Sequence, residues 1–143
     1  MTVKAILARK GSDVVTAAPT ASLAEAVKVL AARRIGALVV TGADRCIVGI
    51  LSERDIVRAL AEKGPAALDM PIAEAMTRKV FTCEAKETVR EIMERMTAGK
   101  FRHVPVVEQG RLAGIVSIGD VVKWRLDELK HESAALRDYI RTA

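Results

Sequence analysis

Aromatic side chains are scarce. Two Phe, one Trp and one Tyr make up 3% of 143 residues. Phe81, Phe101, Trp124 and Tyr139 are too few for a stacking platform that holds single-stranded nucleic acid. Cysteine is equally sparse. Cys46 and Cys83 lie far apart, have no metal-type spacing, and in a reducing compartment have no reason to pair; they read as small apolar fillers. The chain has only two histidines. No histidine–acid pair has metal-ligand spacing, and no Ser-His-Asp or Cys-His set stands out for nucleophilic catalysis. No apolar run reaches the ~18 residues of a membrane span. The start, Met1-Thr2-Val3-Lys4-Ala5-Ile6, lacks the basic-then-apolar layout of a secretory signal, so a cytoplasmic protein is expected.

What is present is an ordinary globular balance, 50% apolar and 29% charged. A chain of this length forms one compact domain or two very small ones and buries roughly 68–70% of its unfolded surface. Lys and Arg number 23 against 18 Asp and Glu, a net charge of +5. The excess is modest and spread along the chain. It favours phosphate-bearing partners without singling out nucleic acid.

The chain is a duplication. Val14-Val15-Thr16, Ser22-Leu23-Ala24-Glu25-Ala26-Val27, Ala37-Leu38-Val39-Val40 and Gly49-Ile50-Leu51-Ser52-Glu53-Arg54-Asp55 recur in order. Their counterparts are Val80-Phe81-Thr82, Thr88-Val89-Arg90-Glu91-Ile92-Met93, His103-Val104-Pro105-Val106 and Gly114-Ile115-Val116-Ser117-Ile118-Gly119-Asp120. The offset is 66 from Val40 to Val106 and 65 from Gly49 to Gly114, a deletion that a hairpin loop absorbs. Each copy has a short amphipathic lead-in, Val3, Ile6 and Leu7 in one and Ile72, Ala75 and Met76 in the other, the latter behind Pro71. Each unit reads as strand, helix, strand, strand, helix.

Ser22-x-x-Glu25 and Thr88-x-x-Glu91 are capping boxes. They open helices with apolar stripes at Leu23, Ala26, Val27, Leu30 and Ala31, and at Val89, Ile92, Met93 and Met96. Strands are expected over 37–41, 47–51, 104–107 and 112–116, with Pro105 at a strand start or sheet edge because it cannot donate to a ladder. Residues 1–63 form the first repeat with its lead-in, 64–71 a linker, 72–130 the second repeat, and 131–143 a C-terminal helical extension. Val122, Leu126, Leu129, Leu136 and Ile140 carry a helical stripe to the end, packed on the body or against another chain.

The repeated Ser-x-x-Asp, Ser52/Asp55 and Ser117/Asp120, follows a strand and opens a helix. As a lone motif it is a capping box. Two copies at equivalent positions suggest more. A helix N-terminus suits phosphate, and a carboxylate beside it accepts both hydroxyls of a ribose diol. With a small apolar slot for a purine, these parts describe a ribonucleotide pocket.

The Val-x-Thr openings, the Val104-Pro105-Val106-Val107 strand and the twice-repeated Gly-Ile-x-Ser-x-x-Asp resemble a tandem pair of cystathionine-β-synthase (CBS) domains, a Bateman module, over about residues 3 to 127. The resemblance implies an α/β (α+β) fold of two pseudo-twofold-related β-α-β-β-α repeats packed sheet to sheet, with a C-terminal helix. It implies two clefts for adenosine-type ligands (AMP, ADP, ATP, S-adenosylmethionine or NAD(H)), no metal, and no catalysis. It further implies a homodimer that regulates a partner in trans.

Carried over by position, Asp55 and Asp120 hold ribose, with Ser52 and Ser117 beside them. Thr16, Ala18, Thr82 and Glu84 edge the adenine, and Ile35, Gly36, Ala37, Phe101, Arg102, His103 and Pro105 line base and phosphate from the second strands. Ser117/Asp120 then pair with Thr16 and 35–37, and Ser52/Asp55 with Thr82 and 101–103. Arg54, Arg102 and His103 make the Asp55 cleft the better seat for a di- or triphosphate; Gly36 and Ala37 bring no charge to the other. The alternatives are a nucleic-acid-binding module, which the sparse aromatics disfavour, and a ligand-free protein-interaction scaffold.

Overall fold

A computed structural model describes residues 1–142. In chain order the elements are α1 (Val3–Lys10), β1 (Thr16–Ala17), α2 (Leu23–Arg33), β2 (Ala37–Thr41), β3 (Ile47–Ser52), α3 (Glu53–Lys63), α4 (Ile72–Ala75), α5 (Val89–Gly99), β4 (His103–Glu108), β5 (Arg111–Ser117) and α6 (Ile118–Thr142). Short 3-10 helices cover Ala43–Arg45 and Gly64–Asp69. The second of these packs Ala67 into the core, so the joining segment is a built element.

β1 runs parallel to β2, and β2 antiparallel to β3. β4 and β5 form the matching antiparallel pair. Both hairpins shift register at equivalent points, after Val40 and after Val106. The β4–β5 turn places Gln109 and Gly110 both at positive φ, the type I′ geometry that suits a two-residue hairpin. The other hairpin uses the longer 42–46 loop.

The expected strand at Val80–Thr82 is absent, and the reason is Pro105. In the first repeat the Val39 N–H donates to the Val15 carbonyl at 3.2 Å. The equivalent pair 66 residues on is Pro105 and Phe81, and proline has no N–H to give. Only one bridge forms in the same register, Cys83 with Val106, through Cys83 N–H to the Pro105 carbonyl and Val107 N–H to the Cys83 carbonyl. Phe81, freed from the ladder, stacks on Phe101 with ring centroids 4.7 Å apart.

The α2 stripe is narrower than its sequence suggests. Leu23, Ala26 and Leu30 are buried, whereas Val27 and Ala31 are exposed. In α5, Val89, Ile92 and Met96 are buried and Met93 is partly so. The Ser22 and Thr88 hydroxyls accept the Glu25 and Glu91 N–H groups at 3.2 Å. The return arm from Glu91 goes to the Thr88 hydroxyl rather than its backbone.

Two cores form, and the lead-in helices are exchanged between them. Val3 and Ile6 of α1 are buried with Val89, Ile92, Val104 and Val116 of the second repeat. Ile72 and Met76 are buried with Leu23, Leu30, Leu38 and Leu51 of the first. Backbone hydrogen bonds seal the exchange: Val3 and Lys4 N–H to the carbonyls of Glu87 and Ala85, and Ile72 and Ala73 N–H to those of Ala21 and Pro19. Only Val121 of α6 is buried, and residues 129–142 are exposed throughout.

Candidate functional site

Both Ser-x-x-Asp motifs are reciprocal caps. Asp55 Oδ2 accepts the Ser52 N–H at 3.0 Å and its hydroxyl at 3.1 Å, while Ser52 Oγ accepts the Asp55 N–H. Asp120 and Ser117 repeat this geometry at 2.9 and 3.0 Å. The residue types at this spacing close the box because a helix start leaves its first N–H groups without partners.

The other contacts of the two carboxylates differ. Asp55 is 4% exposed, the one buried charged residue among those described. Its Oδ1 accepts the Thr77 hydroxyl at 3.1 Å and, at 3.4 Å, the guanidinium of the exposed Arg58. Asp120 instead takes the Lys10 ammonium at 2.6 Å on Oδ2, the oxygen that also closes the cap. Burial pushes the Asp120 carboxyl up, but the bonds from Lys10 and Ser117 outweigh it and hold the group below the ordinary carboxylate range.

A cavity of about 580 Å³ opens beside Asp55, within the ~300–1,000 Å³ typical of small-molecule sites. From the first repeat it takes Gly36, Ser52, Glu53, Arg54, Asp55 and Arg58; from the second, Phe101, Arg102, His103 and Ser117. Thr77, Lys79, Phe81 and Lys100 also line the wall. Arg54, Arg58, Lys79, Lys100 and Arg102 thus face two carboxylates, Glu53 and Asp55. Loss of solvent and the Lys10 charge hold His103 below its ordinary value against the pull of Asp120 and Glu53, leaving it neutral at neutral pH.

The structure brings Gly36, Ser52, Arg54, Asp55, Phe101, Arg102, His103 and Ser117 to one cavity. Thr16 and Ala18 are exposed away from it, Ile35 packs on the first core, Ala37 is buried opposite Ser52, and Pro105 is buried in β4. Thr82 and Glu84 line a separate hollow of about 390 Å³. There the buried Cys83 thiol is pushed up to about 12 by burial and by Glu87. Asp120 is engaged by Lys10 and outside the cavity wall.

Sequence reading missed Arg58, Thr77, Lys79, Phe81 and Lys100. Arg58 was legible as the i+3 neighbour of Asp55 on one helix face. Lys100 sits at the left-handed α5 C-cap (φ 57), 66 residues after Arg34 in the same role (φ 55). Thr77 gave no signal. Among the described residues no His, Cys, Asp and Glu group of three or more is placed to hold a metal, and no helix is long and apolar enough to cross a membrane.

The arrangement has close relatives. The CBS domain family model matches residues 3–62 and 72–127. A CBS-domain containing protein from Agrobacterium tumefaciens is 54% identical, with a TM-score of 0.85 over 87% of this chain and 99% of that one. A CBS domain protein from Pyrobaculum aerophilum, solved in complex with AMP, is 32% identical, with a TM-score of 0.75 over 84% of this chain and 89% of that one. A mitochondrial CBS domain-containing protein from Arabidopsis thaliana is 34% identical over 82% of this chain, which spans 59% of that protein's length. Two family matches in tandem, two exchanged lead-ins and two equivalent Ser-x-x-Asp caps lead to one conclusion: the chain belongs to the CBS domain family and carries a CBS pair.

Proposed function

We propose that the cavity beside Asp55 binds an adenine ribonucleotide and that the pair is a regulatory module, not a catalyst, acting on a partner protein in trans. The observation that carries this is a buried carboxylate at the N-terminus of α3 facing a cavity lined by five cations. Asp55 Oδ2 stays with Ser52, and Oδ1 exchanges its long Arg58 contact for the ribose diol. The cations suit a di- or triphosphate, ADP, ATP or NAD(H), over AMP. The Phe81–Phe101 pair offers a flat apolar face to a base. The Pyrobaculum relative's AMP supports an adenosine ligand.

Because both repeats line the cavity, a ligand there biases their relative position by its differential affinity for the two arrangements. Asp55→Ala tests the site. It is expected to weaken ATP binding by about tenfold or more, the equivalent of ~1.5–3 kcal/mol for a charged hydrogen bond, and 2′-deoxy-ATP much less. Equal losses for both, in a folded variant, reduce Asp55 to a helix cap.

The regulated form is a homodimer in this reading. Val122, Leu126, Leu129, Leu136 and Ile140 fall on the alternating four- and three-residue positions of a coiled-coil seam, with Ser133 at the one intervening position, and all five apolar residues are exposed. In a parallel pair Glu132 faces Arg137 of the second copy across the seam. Sedimentation of Leu129→Lys checks it: a monomer is expected, and an unchanged dimer refutes this seam.

A further inference from the structure

We propose that Lys10 occupies the second Ser-x-x-Asp site from within the chain and limits the module to one nucleotide. This rests on the nucleotide reading above and adds a specificity residue to it.

The two lead-ins superpose by what they touch. Leu7 lies against Gly114 as Met76 lies against Gly49, and Gly49 and Gly114 are repeat equivalents. The residue after Met76 is Thr77; after Leu7 it is Ala8. α4 ends at Ala75 and the chain turns extended at Met76. Thr77 can then reach Ile50 and Asp55: its N–H donates to the Ile50 carbonyl at 2.9 Å, and its hydroxyl to Asp55 at 3.1 Å.

α1 instead stays helical to Lys10, and Ala8 has no hydroxyl. Both vacated roles fall to one ammonium. Lys10 Nζ donates to the carbonyl of Ile115, the equivalent of Ile50, at 3.0 Å and to Asp120 at 2.6 Å.

The consequence is unequal competition. At Asp55 a diol displaces a long contact from an exposed guanidinium, and otherwise meets a neutral hydroxyl. At Asp120 it meets a carboxylate whose charge is already compensated by a short bond from Lys10 to the cap oxygen Oδ2, charge-assisted and about twice as strong as a neutral one. Lys10 is also held in place. Its neighbour Arg9 pairs with Asp127 at 3.2 Å and lies over the Trp124 ring at 4.8 Å, fastening the end of α1 to α6.

The test is calorimetric stoichiometry with AMP on the full chain, comparing wild type with Lys10→Met and with Lys10→Gln. The second variant keeps a hydrogen-bonding group should the first fail to fold. One AMP per wild-type chain and two per folded Lys10 variant are expected, the second being lost again in Lys10→Met/Asp120→Ala. Two per wild-type chain, or one per folded Lys10 variant, overturns the inference and leaves the Asp55 site standing. No binding of AMP, or of ATP in its place, by any of these proteins overturns the nucleotide reading and the inference with it.

Discussion

At the scale of single residues, the two aspartates show how one motif acquires two environments. Both close the same cap, yet Asp55 is left with a hydroxyl and Asp120 with an ammonium. The cap was legible because Ser-x-x-Asp spacing dictates it locally. The partners were not, because Thr77 and Lys10 reach their aspartates from the exchanged lead-ins. His103 has a consequence for pH. Its folded-state affinity for a proton is lowered, so acid favours the unfolded chain. The sign follows: stability is full above the unfolded value of about 6.5 and falls as pH drops toward the lowered folded value. Urea unfolding at several pH values between 7.5 and 5 is expected to show this loss, at most about 1.4 kcal/mol per pH unit. His103→Gln flattens the profile, and an identical slope in that variant refutes the assignment.

At the scale of elements, the strand–helix order of the second half was readable, but the opening strand was lost to a single missing N–H at Pro105. That Pro105 cannot donate is legible in the sequence; that Phe81 is the acceptor deprived is not. Pro105→Val is expected to supply the donor, extend the bridge at Cys83 toward a strand, and draw Phe81 off Phe101. Amide exchange at position 105 measures it, with protection expected and free exchange contradicting it. The paired glycines make a second case. A Cβ at Gly49 would meet the Met76 sulfur at 2.6 Å and the backbone carbonyl of Thr77 at 3.0 Å; at Gly114 the nearest atoms are those of the Leu7 side chain, from 2.8 Å. Overpacking costs roughly 1–3 kcal/mol, and backbone yields less than a leucine tip. Denaturant titration is therefore expected to rank Gly49→Ala below Gly114→Ala in stability.

At the scale of the whole molecule, the duplication was plain in the sequence, and the exchange of lead-ins was not. Amphipathic spacing says that Val3, Ile6 and Ile72 are buried somewhere; only the packing says against which repeat. The exchange packs each lead-in into the core of the other repeat. Ile6→Ala is thus expected to cost about 2–5 kcal/mol and to lower stability in a single transition that includes the second repeat. Separate melting of the first repeat would contradict this.

The exchange also brings residues from both repeats, with the segment that follows α4, to the wall of one cationic cavity. That cavity is where the nucleotide is expected to bind. Its most direct test is calorimetric titration of nucleotide-stripped protein with ATP, AMP and adenosine at low and high salt. Saturable binding in the order ATP, AMP, adenosine, with the advantage of ATP shrinking as salt rises, is the predicted result. Absence of saturable binding by any of the three, or equal affinity for all, contradicts it.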